Sequence, residues 1–138
     1  MDLRGYIMAR PFMGERVPQH VQNIVIRNFA DSIQANLLLA ATEYAMENSH
    51  LVLDALLSSN ESSDGIVMYS LFQLPSNKGR RLDVYESILE CNKCLFFAVE
   101  NMAILSATDI DVVEQCWKIK KTVTALPSKF SEEYRETN

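Results

Sequence analysis

Four short apolar runs, each separated from the next by a stretch of helical periodicity, constrain this chain more than any other feature. They are GYIMA (Gly5 to Ala9), LLLAA (Leu37 to Ala41), GIVMY (Gly65 to Tyr69) and CLFFAV (Cys94 to Val99). Each is too short for a stable helix and lacks the alternation of a strand with one wet face. Continuous apolar strands joined by single helices predict a parallel sheet covered on both sides, because each crossover lays its helix against the sheet. The expected class is a small, doubly wound α/β domain. Its sheet is mainly parallel, with four to five strands and helices on both faces.

The intervening segments supply the helices. Val21, Ile24, Val25 and Phe29 recur at helical spacing after Pro18, whose missing N–H suits a first turn. Asn48 or Ser49 is the expected cap of a second helix through Leu51, Val52, Ala55 and Leu56. Leu82, Tyr85, Ile88 and Leu89 define a third. A last helix opens at Thr108 or Asp109 and turns Val112, Val113, Cys116 and Ile119 inward. At 138 residues with 48% hydrophobic content, the chain supports one core and not two. We expect one domain over residues 1–127 and a flexible polar tail over 128–138.

Charge narrows the partners. A formal net charge of −5 opposes a nucleic-acid face, and the basic clusters, Lys78 to Arg81 and Lys118 to Lys121, are short. No apolar run reaches the roughly 18 residues a membrane span needs, and Met1-Asp2-Leu3-Arg4 does not open a secretory signal. A cytoplasmic protein without membrane or nucleic-acid partners is expected. Cys91, Cys94 and Cys116 are an odd set suited to a reducing compartment, and the lone CxxC reads as two neighbouring buried thiols. Neither a dinucleotide-binding glycine motif nor a P-loop is present, and no metal or other cofactor is expected.

In doubly wound sheets ligands bind outside the carboxyl ends of the strands. Polar residues gather there: Arg10 after the first run, Glu43 and Tyr44 after the second, Tyr69, Ser70 and Gln73 at the third, Glu100 and Asn101 after the fourth. The stretch ARPFMGERVPQHVQN adds Glu15, Arg16, Gln19, His20 and Asn23. Arg10 offers a planar fork of donors for phosphate or carboxylate, and Gly14 permits a tight turn before the helix. Glu43 and Glu100 form a candidate acid/base pair, with His20 as general base and Tyr69 as proton relay. Arg10, Glu15, Arg16, Gln19, Asn23, Tyr44, Ser70, Gln73 and Asn101 are the candidate binding residues for a small anionic or sugar ligand. The structural alternative is that each carboxylate serves only loop N–H groups or an arginine, and that His20 is an ordinary surface residue.

Two resemblances add to this reading. GYIMAR, LVLDALL and GIVMYSLFQLP occur in an order that resembles the catalytic domain of serine recombinases of the resolvase type, implying a resolvase- or flavodoxin-like sheet. That family's nucleophilic serine falls on Arg10, and its Asp-Arg-Leu-Gly-Arg pattern falls on Phe72 to Ser76, so neither nucleophile nor phosphate clamp carries over. RGYI, RPFMGERVPQHVQN, ATEYAM, DGIVMYSLFQLP and FAVEN make the chain similar to a bacterial family of sporadic carbohydrate cluster proteins. This resemblance implies a place in cell-surface polysaccharide or unusual sugar synthesis, without a reaction.

Three readings follow. The first is an enzyme that binds and converts an activated sugar or sugar phosphate. The second is a noncatalytic metabolite-binding or docking subunit of the same pathway. The third, opposed by the acidic balance, is a degenerate recombinase-like regulatory domain. A homodimer or larger assembly is expected, with Met102 to Leu105 and the last helix, including Trp117, as candidate contacts.

Overall fold

The computed structural model describes residues 1–14, 16–59 and 62–124. Strand β1 (Asp2–Met8) is followed by α1 (Gln19–Ser32), β2 (Asn36–Glu43), α2 (Leu51–Ser58) and β3 (Gly65–Met68). A 3-10 turn over Leu71–Gln73 leads to α3 (Lys78–Glu90), β4 (Cys94–Phe97), β5 (Met102–Ile104) and α4 (Thr108–Thr124). The sheet order is β2-β1-β3-β4-β5, with the first four strands parallel and β5 antiparallel to β4. The polar tail expected from residue 128 lies outside the described residues.

The apolar runs of β1, β3 and β4 are strands because both of their faces are covered, whereas β2, at the border of the sheet, buries only Glu43 and leaves Leu39 85% exposed. On β1, Tyr6 and Met8 face one core and Leu3 and Ile7 the other; on β3, Ile66 and Met68 oppose Val67. On β4, Leu95 and Phe97 oppose Phe96. Helix α1 covers one side with Ile26 and Phe29, and Phe29 packs on Phe96 with ring centroids 5.6 Å apart. Leu53 of α2, Val84, Tyr85 and Ile88 of α3, and Val113 and Trp117 of α4 close the larger core opposite. Each large side chain so buried contributes about 1.5–3 kcal/mol relative to exposure.

Two glycines permit close approaches. Leu39 and Ala40 of β2 together oppose Gly5 of β1, a bulge in a parallel pair; a Cβ on Gly5 would lie 3.1 Å from Ala40 Cβ. Arg4 Nη1 donates to the Leu39 carbonyl at 2.6 Å. A Cβ on Gly65 would overlap the Cys94 carbonyl oxygen and lie 2.7 Å from its Sγ.

Met102 to Ile104 supplies the fifth of the four to five strands expected, turned back on β4 by Asn101, whose φ is 52°. Several other expectations require correction. Helix α1 turns Gln22, Ile26, Phe29 and Ala30 inward and leaves Ile24 64% exposed. Helix α4 turns Val113 and Trp117 inward, so Val112 and Ile119 lie outside and Trp117 is not a surface contact residue. The start of α2 is capped by neither Asn48 nor Ser49 through its side chain; the acceptor is Glu43. Cys91 is exposed rather than buried, and Cys94 is half-buried. Among the described residues no helix is long and apolar enough to cross a membrane.

Candidate functional site

Strand order reverses at β1: the chain passes from β1 to β2 on one side, then crosses to β3 on the other. Crossovers on opposite faces put α1 and α2 on opposite sides of the sheet, so a crevice forms at the carboxyl ends of β1 and β3. Here the protein's own polar side chains fill it. Gln22 and Gln73 are fully buried, and Ser70, Glu43 and His50 nearly so.

The network starts where β1 ends. Gln22 Oε1 accepts from the Met8 N–H at 3.0 Å, and its Nε2 donates to the Met8 and Val17 carbonyls at 2.8 and 2.9 Å. Gln22 thus continues the sheet edge as a further peptide group would. Gln73 Nε2 donates to Gln22 Oε1 at 2.8 Å, and Gln73 Oε1 accepts from the Ser70 N–H at 3.3 Å. Ser70 Oγ accepts from the Phe72 N–H and donates to Glu100 Oε2 at 2.8 Å, while Glu100 Oε1 accepts from the Leu71 N–H at 2.9 Å. Glu100 therefore braces the turn after β3.

The second arm runs toward β2. The Gln73 carbonyl can only accept, so His50 Nε2 donates to it at 3.1 Å. Arg10 Nη2 lies 3.5 Å from that nitrogen, and Arg10 Nη1 donates to the Tyr44 carbonyl at 2.9 Å. Burial, reinforced by the Arg10 charge, holds the His50 imidazole below its ordinary value despite the bond to Gln73, so it is neutral at pH 7.

Glu43, 1% exposed, sits at the start of α2. Its Oε1 accepts from Tyr6 Oη at 2.8 Å and the Leu53 N–H at 3.2 Å. Its Oε2 accepts from the N–H groups of Tyr44 and Val52 at 3.0 and 3.1 Å, and from Ser49 Oγ at 3.3 Å. Burial alone raises a carboxyl pKa, but these bonds, led by Tyr6 and the Val52 N–H, hold Glu43 below the usual range. The same burial and the Glu43 charge push the Tyr6 hydroxyl far upward. A carboxylate with this many donors is held ionised and aimed into the fold, which fits capping rather than proton transfer.

The remaining candidates divide. Arg10, Tyr44, Ser70, Gln73 and Glu100 belong to the network. Arg16, Gln19 and His20 are exposed around the start of α1, and Asn23 is half-buried on that helix. Tyr69 is half-buried with its ring edge-on to Phe12, centroids 6.0 Å apart. Asn101 is an exposed turn residue, and Glu15 lies outside the described residues. Glu43 and Glu100 are bonded into opposite flanks, on the β1–β2 and β3–β4 sides respectively, not to each other.

Sequence reasoning missed Gln22, His50 and Tyr6. A signal for Gln22 existed, because it stands four and seven residues before Ile26 and Phe29, on one helical line. A second polar cluster, also unforeseen, ties α3 to α4: Arg81 forms a bidentate pair with Glu114 at 2.9 and 2.8 Å, and Tyr85 Oη donates to Glu114 at 2.7 Å. The Arg81 guanidinium lies 4.3 Å from the Trp117 ring centre. A cleft of about 820 Å³ opens beside it, lined by Met13, Ser76, Lys78, Arg81 and Lys118 among others; no candidate site residue named from the sequence lines it. Among the described residues no group of three His, Cys, Asp or Glu side chains converges as a metal site.

No family model and no curated protein matches this sequence. Two solved structures match its shape. The N-terminal catalytic domain of TP901-1 integrase is 14% identical, with 95% of this chain and 98% of that one covered and a TM-score of 0.59. A resolvase family site-specific recombinase from Streptococcus pneumoniae is 9% identical over 99% of both chains, with a TM-score of 0.62. At these identities the likeness establishes a resolvase-like α/β fold.

Proposed function

We propose that this chain is a noncatalytic binding domain on a resolvase-type scaffold, recognising a small anionic ligand at the rim of the sheet through Arg10. One observation carries the reading. The two carboxylates at the switch point, Glu43 and Glu100, are consumed by internal bonds, whereas Arg10 is half-exposed and held by a backbone carbonyl and beside a neutral imidazole. A guanidinium oriented this way keeps donors for a phosphate or carboxylate. The ligand class we favour is a sugar phosphate, in keeping with the resemblance to proteins of surface-carbohydrate gene clusters. The exposed Tyr44, whose carbonyl accepts from Arg10, offers a further contact on an open surface.

The likeness to recombinase catalytic domains favours a second reading, a regulatory remnant that still meets DNA. A net charge of −5 and Arg10 at the family's serine position weigh against it. Titration calorimetry separates the two. A hexose 1-phosphate binds the wild-type protein and loses at least about ten-fold in affinity in Arg10→Ala, as removal of a charge-assisted donor pair requires. Glu100→Gln binds as the wild type does. Tight binding of duplex DNA, or turnover of the sugar that Glu100→Gln abolishes, overturns the proposal.

A further inference from the structure

The cleft of about 820 Å³ between the start of α3 and α4 has room for a small organic molecule. It also borders an unspent donor. Trp117 lines it, 5% exposed, and the indole N–H is buried without an acceptor among the described residues. A buried tryptophan ordinarily finds a partner for this group. The polar side chains around it are committed elsewhere. Arg81, lying over the indole face, donates to both Glu114 oxygens and to the Pro75 and Ser76 carbonyls, and Glu114 also accepts from Tyr85. Phe72 meets the ring edge-on, centroids 5.2 Å apart, and offers no acceptor.

The rest of the lining says what could answer that donor. Lys78, the first residue of α3, is exposed at the rim; among the described residues it makes no hydrogen bond or close ion pair, and it acts on Glu114 through charge alone. Lys118 also lines the cleft but is engaged within the chain. A ligand reaches the covered N–H only where a wall yields, and Met13, half-buried and unbranched, is a side chain able to yield. A neutral buried donor, an exposed ammonium and apolar surface between them suit one negative charge on an apolar body. A more highly charged group would lose more hydration than one exposed cation returns, and Asp111 at the rim adds repulsion. We infer that the cleft binds a small monocarboxylate with an apolar body, one oxygen accepting from Trp117 Nε1 and the charge facing Lys78. The site shares no residue with the anion site at Arg10.

The chain has a single tryptophan, so its indole N–H gives one peak in a proton–nitrogen correlation spectrum. Titration of the isotope-labelled full chain with hydrocinnamate moves that peak downfield to saturation, with a dissociation constant of about 1 mM or tighter for a ligand of this size. Lys78→Gln weakens the binding about five- to ten-fold, whereas Lys78→Arg stays within about three-fold of the wild type. The primary amide of the same acid, which keeps the body and lacks the charge, binds at least about five-fold more weakly. Asp111→Asn tightens binding about two-fold by removing a like charge. Arg10→Ala binds hydrocinnamate as the wild type does, so a failure at the Arg10 site and a failure here are told apart. An indole peak that stays in place with ligand in the tens of millimolar overturns the inference. So does binding that is indifferent to Lys78→Gln, equal for acid and amide, or lost in Arg10→Ala.

Discussion

Glu43 accepts so many hydrogen bonds because β2 ends where α2 begins, and the first N–H groups of that helix have no intrahelical acceptor. Its amide replacement keeps the shape but turns an –NH2 toward groups that are themselves donors. Glu43→Gln is therefore expected to cost about 2–4 kcal/mol in urea denaturation at neutral pH, since buried donors lose their acceptor. Gln22 makes the complementary case. Gln22→Leu preserves bulk while stranding the Met8 N–H and the Gln73 amide, and is expected to cost about 3 kcal/mol by the same measurement. Its position is legible in principle, but an amide on an apolar helical line looks like an exposed interruption. Only the ladder end of β1, which it completes, explains why a polar group belongs inside. Arg10, Glu43, Ser70, Gln73 and Glu100 could be located from strand ends alone; their mutual bonds depend on strand order, which spacing does not encode.

At the scale of elements, β1, β3 and β4 can be read because coverage on both faces removes the need for polar alternation, while β2 is legible from its apolar run although it lies half-covered at the border. The fifth cannot. Met102, Ala103 and Ile104 are too few for a pattern, and their strand identity rests on Asn101 adopting a left-handed conformation that returns the chain along β4. The phase of α4 is ambiguous for a related reason: it has two apolar lines, and sequence alone does not say which one meets the sheet. Tight pairing of β3 with β4 brings a sharper expectation. Gly65→Ala places a methyl where Cys94 backbone and sulfur already stand, so the strands must part. A loss of about 3 kcal/mol is expected from thermal and urea melts, at the upper end of ordinary overpacking. Cys94→Ser relieves little of it, because the obstructing oxygen belongs to the main chain.

For the molecule as a whole, the buried groups that titrate below neutrality act in one direction. Glu43 and Glu114 have native pKa values below their ordinary 4.5, the latter through Arg81 and Tyr85 acting against its own burial. Each stabilises the fold above that value and loses its contribution as pH falls through the depressed native value. His50 is lowered from 6.5, so the unfolded chain takes up its proton first and stability again falls with acid. Urea midpoints are expected to be nearly level from pH 8 to 7, to slope gently below about 6.5, and to drop steeply below about 4.5. His50→Gln should flatten the gentle part and leave the steep part. A native state that gains stability between pH 6 and 4 would contradict the hydrogen bonding of Glu43 and Glu114 and the burial of His50.

The bulge at Leu39 and Ala40 has a last consequence, for how copies of the chain accumulate. A straight outer strand is a template onto which further strands add without limit. Here one border of the sheet is interrupted midway, and the other is a ribbon of three residues. Neither border propagates a ladder, so crowding does not draw this protein into open-ended fibres by strand addition.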